Sequence, residues 1–168
     1  MTPNEFVKTF LPHAKLTENK TGISALVILA QGALESGWGK FAPGNMFFGI
    51  KDTDGINGNE QLITTTEYSK RADLKFPKIL KVEPTVRNGQ KYFKYTVQDY
   101  FRKYTTPEEC FTDHATFFLT NPRYAKALLV KSDPYKFAEE IAKAGYATDP
   151  NYASVLKSMI DSVKKRIV

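Results

Sequence analysis

Glu35 is the first residue whose position predicts chemistry, because it lies at the end of a long apolar segment. From Ile23 to Leu34 the chain is almost wholly apolar or small and contains no proline, which is typical of a buried helix. Gly37 fits the position just past the last helical turn. A carboxylate in that turn faces the negative end of the helix dipole, and burial also disfavours its charged form. Both effects predict a raised pKa for Glu35, as a general acid requires.

The alternative interpretation is that Glu35 is an ordinary helix-end carboxylate that faces solvent or pairs with Lys40. The sequence Gly37-Trp38-Gly39 weighs against it, because glycines allow close backbone approach and tryptophan offers a flat apolar wall. These local features alone leave a reaction site and an ordinary helix end about equally supported.

Four segments resemble, in order, the motifs of glycoside hydrolase family 73, the β-N-acetylglucosaminidases of bacterial autolysins and flagellar peptidoglycan hydrolases. They are Ala33–Gly39, Asn45–Lys51, Thr65–Tyr68 and Gly145–Ala153. The first resembles the family's catalytic motif, and the others resemble its Asn-Asn-Leu-Phe-Gly-Ile-Lys, Thr-x-Glu-Tyr and Gly-Tyr-Ala-Thr-Asp-Pro-x-Tyr-Ala motifs. Met46 departs from the pattern, since the family often has asparagine there, so no polar substrate contact is expected from that position.

The resemblance implies an α+β fold of lysozyme type, with a mainly helical lobe and a small inserted β-rich lobe. It also implies a peptidoglycan hydrolase of the endo-β-N-acetylglucosaminidase type. Such an enzyme cleaves the β-1,4 bond between N-acetylglucosamine and N-acetylmuramic acid in glycan strands, here with Glu35 as the general acid. Endo or exo action and a phage, autolysin or flagellar origin all remain open.

Glu67 is the predicted second carboxylate. Cleavage of a glycosidic bond needs a proton donor, and negative charge or a nucleophile at the anomeric carbon. Glu67 lies on a threonine-rich segment that favours a strand, and its ordinary interpretation is an exposed carboxylate paired with Lys70 or Arg71. Two mechanisms stay open: Glu67 activates a water with inversion, or the acetamido group of the substrate attacks with retention.

Four aromatic residues complete the predicted site. Tyr146 is predicted to hydrogen-bond Glu35 or the reaction centre, and the alternative is a buried tyrosine satisfied by backbone. Trp38, Phe48 and Tyr68 are predicted to line the sugar-binding surface, because aromatic faces pack on sugar C–H groups. For Trp38 a wholly structural role is equally supported.

Other functional classes make different demands on the sequence. A lytic transglycosylase or muramidase would cut the other glycosidic bond, from N-acetylmuramic acid to the following N-acetylglucosamine. The new end would then be N-acetylmuramic acid or its anhydro form instead of N-acetylglucosamine. The transglycosylase also has a Glu-Ser at a helix end, but it uses a single carboxylate, so the Thr-x-Glu-Tyr segment argues against it. A non-catalytic cell-wall-binding module would have no reason to hold a glutamate against a helix dipole and an apolar core.

The length indicates the number of domains, and the charge indicates which classes of partner are expected. The 168 residues suit a single domain, residues 1–168, with the β-rich lobe at about 47–104. The net charge of +6 suits an acidic polymer such as the bacterial cell wall. The lysines are scattered and form no nucleic-acid-binding motif, so we expect no nucleic-acid partner, and we expect a monomer.

Targeting and metal-binding signals are also missing from the pattern. No run reaches the roughly 18 apolar residues of a membrane span, and residues 1–20 do not resemble a signal peptide. The expected place of action is the cell wall, reached by secretion, in the periplasm or after phage release. Cys110 is the single cysteine, and His13 and His114 are far apart, so we expect no metal or cofactor.

The predicted elements are helices at both ends of the chain and strands in the middle. A capping box at Thr2 starts a helix to about residue 15, followed by a polar loop over 17–22. A strand is predicted over 61–68 and a hairpin at Asn88-Gly89, whereas 70–84 is predicted as loop with a short strand at 79–82. Helices are then predicted over about 106–121, 123–130, 133–145 and 149–166.

Overall fold

The computed structural model describes residues 1–167, which form six α-helices, two 3-10 turns and one three-stranded sheet. The helices are α1 (Pro3–Thr21), α2 (Ala25–Ser36), α3 (Pro107–Thr120), α4 (Ala125–Leu128), α5 (Pro134–Lys143) and α6 (Tyr152–Lys164). The strands are β1 (Glu60–Ser69), β2 (Lys78–Arg87) and β3 (Gln90–Arg102). Contacts divide the chain into a helical unit, Met1–Phe48 with the residues from Tyr104 onward, and a β-rich unit, Gly49–Lys103. The predicted α+β class is confirmed.

Helix α2 is the central element of the helical unit and packs against α1, α5 and α6. Its buried side chains lie on every side of the helix, as the apolar sequence predicted. Phe6 of α1 and Phe111 of α3 are fully buried around it. Burial of each large apolar side chain contributes about 1.5–3 kcal/mol, so the helix that carries Glu35 is firmly anchored.

Helix α1 begins as predicted but ends later. The capping box at Thr2 is formed, whereas the polar loop predicted over 17–22 is wrong, because the helix continues to Thr21. Thr17 is buried and its hydroxyl lies 2.8 Å from that of Thr112 on α3. The Thr21 hydroxyl donates to the Thr17 carbonyl at 2.7 Å. These inward-facing threonines extend the helix through a segment whose composition resembles a loop.

The β-rich unit is an antiparallel sheet with strand order β1-β3-β2. The predicted hairpin is confirmed, since Asn88 and Gly89 have φ values of 51° and 74°. The loop prediction for 70–84 is partly wrong, because β2 extends over ten residues and includes Pro84. Strand β2 lies at an edge of the sheet, where a proline that lacks an N–H donor is tolerated.

The later helices mostly start at the predicted caps. Thr106 accepts a hydrogen bond from the Glu109 amide at the start of α3. Asp133 accepts from two amides at the start of α5. The helix predicted over 123–130 is instead a 3-10 turn, Pro122–Tyr124, followed by the short α4.

Asn45 ties together the two segments of the helical unit that border the β-rich unit. Its side-chain amide donates to the carbonyls of Tyr104 at 3.0 Å and Thr105 at 3.3 Å. The Tyr104 amide donates to the Gly44 carbonyl at 2.8 Å. These bonds give the Asn45–Lys51 motif a structural role.

Candidate active site

Glu35 is the penultimate residue of α2 and is exposed, and it lies between the half-buried Leu34 and the buried Ser36. Within residues 1–167 its carboxylate makes no hydrogen bond or ion pair, so the alternative of a pair with Lys40 does not occur. The next residue, Ser36, donates to the Gly32 carbonyl at 2.5 Å and accepts from the Gly39 amide at 2.9 Å. The hydroxyl of Ser36 therefore fixes the turn that follows Glu35.

The pKa of Glu35 is raised above its ordinary value of 4.5, because neighbouring protein atoms desolvate its carboxyl. The sequence predicted this direction. The residue is more exposed than expected, although the residues that precede it on α2 are mostly buried. Its place at the negative end of the helix dipole acts in the same direction.

Two tyrosines lie within electrostatic reach of Glu35. Tyr146 follows α5, and its pKa is raised well above the usual range by desolvation, then by the charges of Tyr152, Glu35 and Tyr124. Tyr146 is therefore a neutral phenol, suited to hydrogen bonding rather than to proton abstraction. The pKa of Tyr152 is also raised, chiefly by desolvation.

The sequence analysis missed Gln31 and Tyr152, which border the same site. The Gln31 amide donates to the Tyr152 hydroxyl at 3.1 Å, and both residues are buried. Gln31 lies one turn before Glu35 on the same helix face. The signal was present in the sequence, because Gln31 is the one amide side chain in the otherwise apolar α2 segment.

Phe48 does not lie where the sequence analysis expected it. Its ring is 4% exposed and stacks on the His114 imidazole with centroids 3.7 Å apart. A ring buried in this way has no free face for a sugar, so the expectation of a cleft-lining role does not fit. The His114 Nε2 atom lies 3.3 Å from the Tyr146 hydroxyl, so Phe48 supports a residue that contacts Tyr146.

Glu67 lies on β1 in the β-rich unit, where Lys51 is its ion partner. The Lys51 Nζ atom is 3.1 Å from Glu67 Oε1 and 3.2 Å from Asp99 Oδ2. The alternative of a pair with Lys70 or Arg71 is therefore wrong. Desolvation lowers the pKa of Lys51, but the hydrogen bonds and charges of both carboxylates outweigh it and the net direction is upward. Lys51, which ends the second motif, and Asp99 were missed by the sequence analysis.

The remaining aromatic residues are held by packing contacts. Tyr68 follows Glu67 on β1 and so faces the opposite side of the sheet, where the Arg87 guanidinium lies 4.0 Å from its ring centroid. Trp38 has a positive φ of 58° and packs edge-on against Phe6 with centroids 5.6 Å apart. Their roles in substrate binding stay predictions.

Neither a metal site nor a membrane span is found in the part of the chain that the structure describes. Residues 1–167 bring together no group of three or more histidine, cysteine, aspartate or glutamate side chains that could hold a metal ion. No helix among these residues combines the length and hydrophobicity that crossing a lipid bilayer would require.

Comparison with known proteins gives the family. Residues 11–165 match the Glucosaminidase family, described as mannosyl-glycoprotein endo-beta-N-acetylglucosaminidase. The chain belongs to this family. The resemblance to glycoside hydrolase family 73 is confirmed, and with it the class of enzyme, a glycoside hydrolase.

Individual relatives are similar to this chain over most of its length. The peptidoglycan hydrolase FlgJ of Pseudomonas aeruginosa is 34% identical over 89% of this chain and 34% of its own length. A probable N-acetylmuramidase of Lactococcus lactis is 30% identical over 92% of this chain and 32% of its own length. A glycoside hydrolase domain of Salmonella typhimurium FlgJ has a TM-score of 0.73 and 33% identity, covering 98% of this chain and 99% of that domain. The chain spans between about a third and a half of the curated relatives it matches.

Proposed function

We propose that this glucosaminidase-family chain hydrolyses peptidoglycan at the β-1,4 bond between N-acetylglucosamine and N-acetylmuramic acid. Glu35 carries the proposal, because it is an unpaired carboxyl with a raised pKa at the end of a buried helix. A general acid needs a proton near neutral pH and a clear path to the leaving oxygen. The names of relatives, among them peptidoglycan hydrolases, support the substrate class.

Glu67 is proposed as the carboxylate that activates the attacking water. Within residues 1–167 the Glu67 carboxylate makes one ion pair, to Lys51 through Oε1. The second oxygen, Oε2, is therefore available to accept a proton from water. Attack by the substrate's acetamido group remains the competing mechanism, and in that case Glu67 would not act as the base.

Tyr146 is proposed to hydrogen-bond Glu35 or the substrate near the scissile bond. Its phenol is neutral and lies within electrostatic reach of Glu35, which supports this role. Trp38 and Tyr68 are proposed as sugar-contacting residues, each through the ring surface that its packing partner leaves uncovered.

The proposed partners are peptidoglycan glycan strands, and the proposed place of action is the cell wall outside the cytoplasm. The net charge of +6 supports attraction to this anionic polymer. A monomer is proposed, because one chain carries every residue assigned to the reaction.

Mass spectrometry of borohydride-reduced peptidoglycan digests tests the proposed bond. Reduced N-acetylglucosamine at the new ends is the expected result, and Glu35→Gln protein is the matched control for contaminating activity. Reduced N-acetylmuramic acid would instead give this chain the activity named for the Lactococcus lactis relative. An anhydro end would make it a lytic transglycosylase.

A further inference from the structure

His114 is a buried polar residue that the proposed reaction has not yet used. It lies on α3, is 7% exposed, and is surrounded by aromatic rings. Phe48 stacks on one side with centroids 3.7 Å apart, and Phe118 contacts the imidazole edge-on at 5.0 Å. A polar ring in such surroundings is costly to bury unless it is hydrogen-bonded.

The hydrogen-bond partner of His114 is the candidate site residue Tyr146. The His114 Nε2 atom and the Tyr146 hydroxyl are 3.3 Å apart, and the two ring centroids are 5.9 Å apart. Tyr146 follows α5, and its ring packs against Phe118 and Tyr152 with centroids 5.4 Å apart in each case. Ring packing confines the phenol but does not set the direction of its hydroxyl, which the bond to His114 can do. The His114 imidazole lies on α3 and stacks on Phe48, which fixes the position of its Nε2 atom.

We propose that His114 is a positioning residue that acts through Tyr146: its Nε2 atom fixes the phenol hydroxyl beside Glu35. The proposal rests on the proposed function, because Tyr146 matters only if Glu35 is the acid. His114 touches neither substrate nor reacting atoms, and its effect on turnover passes entirely through the phenol.

Charge supports this role. Burial lowers the pKa of His114 to about 3, and the nearby Asp113 carboxylate only partly opposes this shift. The imidazole is therefore neutral at any pH at which the enzyme works, so one ring nitrogen donates a hydrogen bond and the other accepts one. The phenol is neutral as well, so the bond between them persists across the working pH range.

A double-mutant cycle tests whether His114 acts through Tyr146. His114→Phe keeps an aromatic ring against Phe48 but removes Nε2. We expect kcat to fall about 10- to 100-fold with little change in KM, because a small displacement of a positioned group has effects of this size. His114→Gln can place an amide near the Nε2 position and should restore most of the loss. In a Tyr146→Phe background, His114→Phe should cost less than about twofold more. A full further loss in that background would overturn the proposal.

Nitrogen-15 NMR of the histidine side chains gives a readout that needs no activity and no His114 variant. His13 is the second histidine in the chain and serves as an internal reference. Tyr146→Phe should shift the Nε2 resonance of His114 and leave both nitrogens of His13 unchanged. An unchanged His114 resonance would overturn the proposal, even if the variants lose activity.

Matched controls separate this inference from the proposed function. His13→Gln removes a histidine that has no contact with Tyr146 and should leave kcat unchanged. A wild-type protein that releases no new reducing ends from peptidoglycan would refute the proposed function. The NMR experiment would then still decide whether His114 holds the phenol.

Discussion

Glu35 is the residue whose replacement should separate catalysis from folding. Glu35→Gln keeps the size of the side chain and removes the transferable proton, so we expect kcat on peptidoglycan to fall about 10²–10⁴-fold. The variant should be no less stable than the wild type, because the wild-type carboxyl has no partner to lose within residues 1–167. Reducing-end assays alongside thermal unfolding measure both effects. Activity within a few-fold of wild type would show that Glu35 is not the acid.

The raised pKa of Glu35 also predicts how stability depends on pH. The folded carboxyl binds its proton more tightly than the unfolded one, so the wild type loses stability as pH rises from about 4.5 through the folded pKa. Glutamine has no such proton. The free energy of unfolding of Glu35→Gln minus that of wild type should therefore increase with pH across this window. Urea unfolding at a series of pH values measures it, and a difference that decreases would mean that the folded pKa is lowered instead.

The activity of the wild type should follow the same titration. Only protonated Glu35 can donate, so kcat should decline as pH rises through the raised pKa. A high-pH limb positioned near 4.5, the ordinary glutamate value, would contradict the assignment of Glu35 as the acid.

Lys51 should matter for turnover more than for stability. Its ammonium lies between Glu67 and Asp99, and removing it as Lys51→Met would free both carboxylates to move or repel each other. We expect about a tenfold loss of kcat if Glu67 must be held in place. Partly exposed pairs contribute only about 0.2–1 kcal/mol, so unfolding should change little. Lys70→Met is the matched control, since Lys70 contacts the Tyr92 ring, and equal losses in both variants would refute a specific role for Lys51.

At the scale of elements, the end of α2 matters most, because its last turn presents Glu35. Gly37 ends the helix with φ 59°, and an added Cβ would meet the Phe41 ring at 3.6 Å, an ordinary contact. The cost of Gly37→Ala is therefore backbone strain, about 1–2 kcal/mol, and its relief would displace the last turn. We expect lower stability and about a tenfold loss of kcat in this variant.

Gly89→Ala provides the control for that prediction. Gly89 also has a positive φ, 74°, and an added Cβ would meet nothing within 4 Å. Strain alone should lower its stability by a similar amount, measured by urea unfolding, with kcat unchanged. If Gly37→Ala lost stability but kept full activity, the helix end would not control the position of Glu35.

Local signals made several elements predictable from sequence. The capping box at Thr2, the Asn88-Gly89 turn and the apolar run before Glu35 each depend on residues close together in the chain. Sequence failed where distant contacts decide. The segment 17–21 is helical because Thr17 meets Thr112, 95 residues away.

In the candidate site too, residues defined by local sequence could be predicted, and residues defined by distant contacts could not. Glu35 could be proposed because its helix, its cap and its neighbours are contiguous in sequence. His114 could not, because its role depends on a hydrogen bond to a residue 32 positions later and on stacking with Phe48, which lies far away in the sequence. The pairing of Lys51 with Glu67 and Asp99 likewise depends on strand register, which periodicity does not determine.

At the scale of the whole molecule, each unit holds its own part of the proposed chemistry. The helical unit contains the proposed acid Glu35 with Tyr146, and the β-rich unit contains Glu67 with Lys51. Contacts within its own unit act on each carboxylate. Desolvation raises the pKa of Glu35, and an ion pair with Lys51 holds Glu67. The two glutamates should therefore respond independently to substitution of their immediate neighbours.

The stereochemistry of the product tests the action of both units together. If Glu67 activates water, attack comes from the face opposite the leaving group and the β-linked sugar is released as the α-anomer. We expect this result, because Oε2 of Glu67 makes no hydrogen bond or ion pair within residues 1–167. Proton NMR of the first turnovers reads the anomer before mutarotation. Glu67→Gln should then reduce kcat as severely as Glu35→Gln, and azide should not rescue it with retained configuration. The β-anomer, with strong inhibition by a thiazoline that mimics the cyclised acetamido intermediate, would instead assign the nucleophile to the substrate and exclude Glu67 as the base.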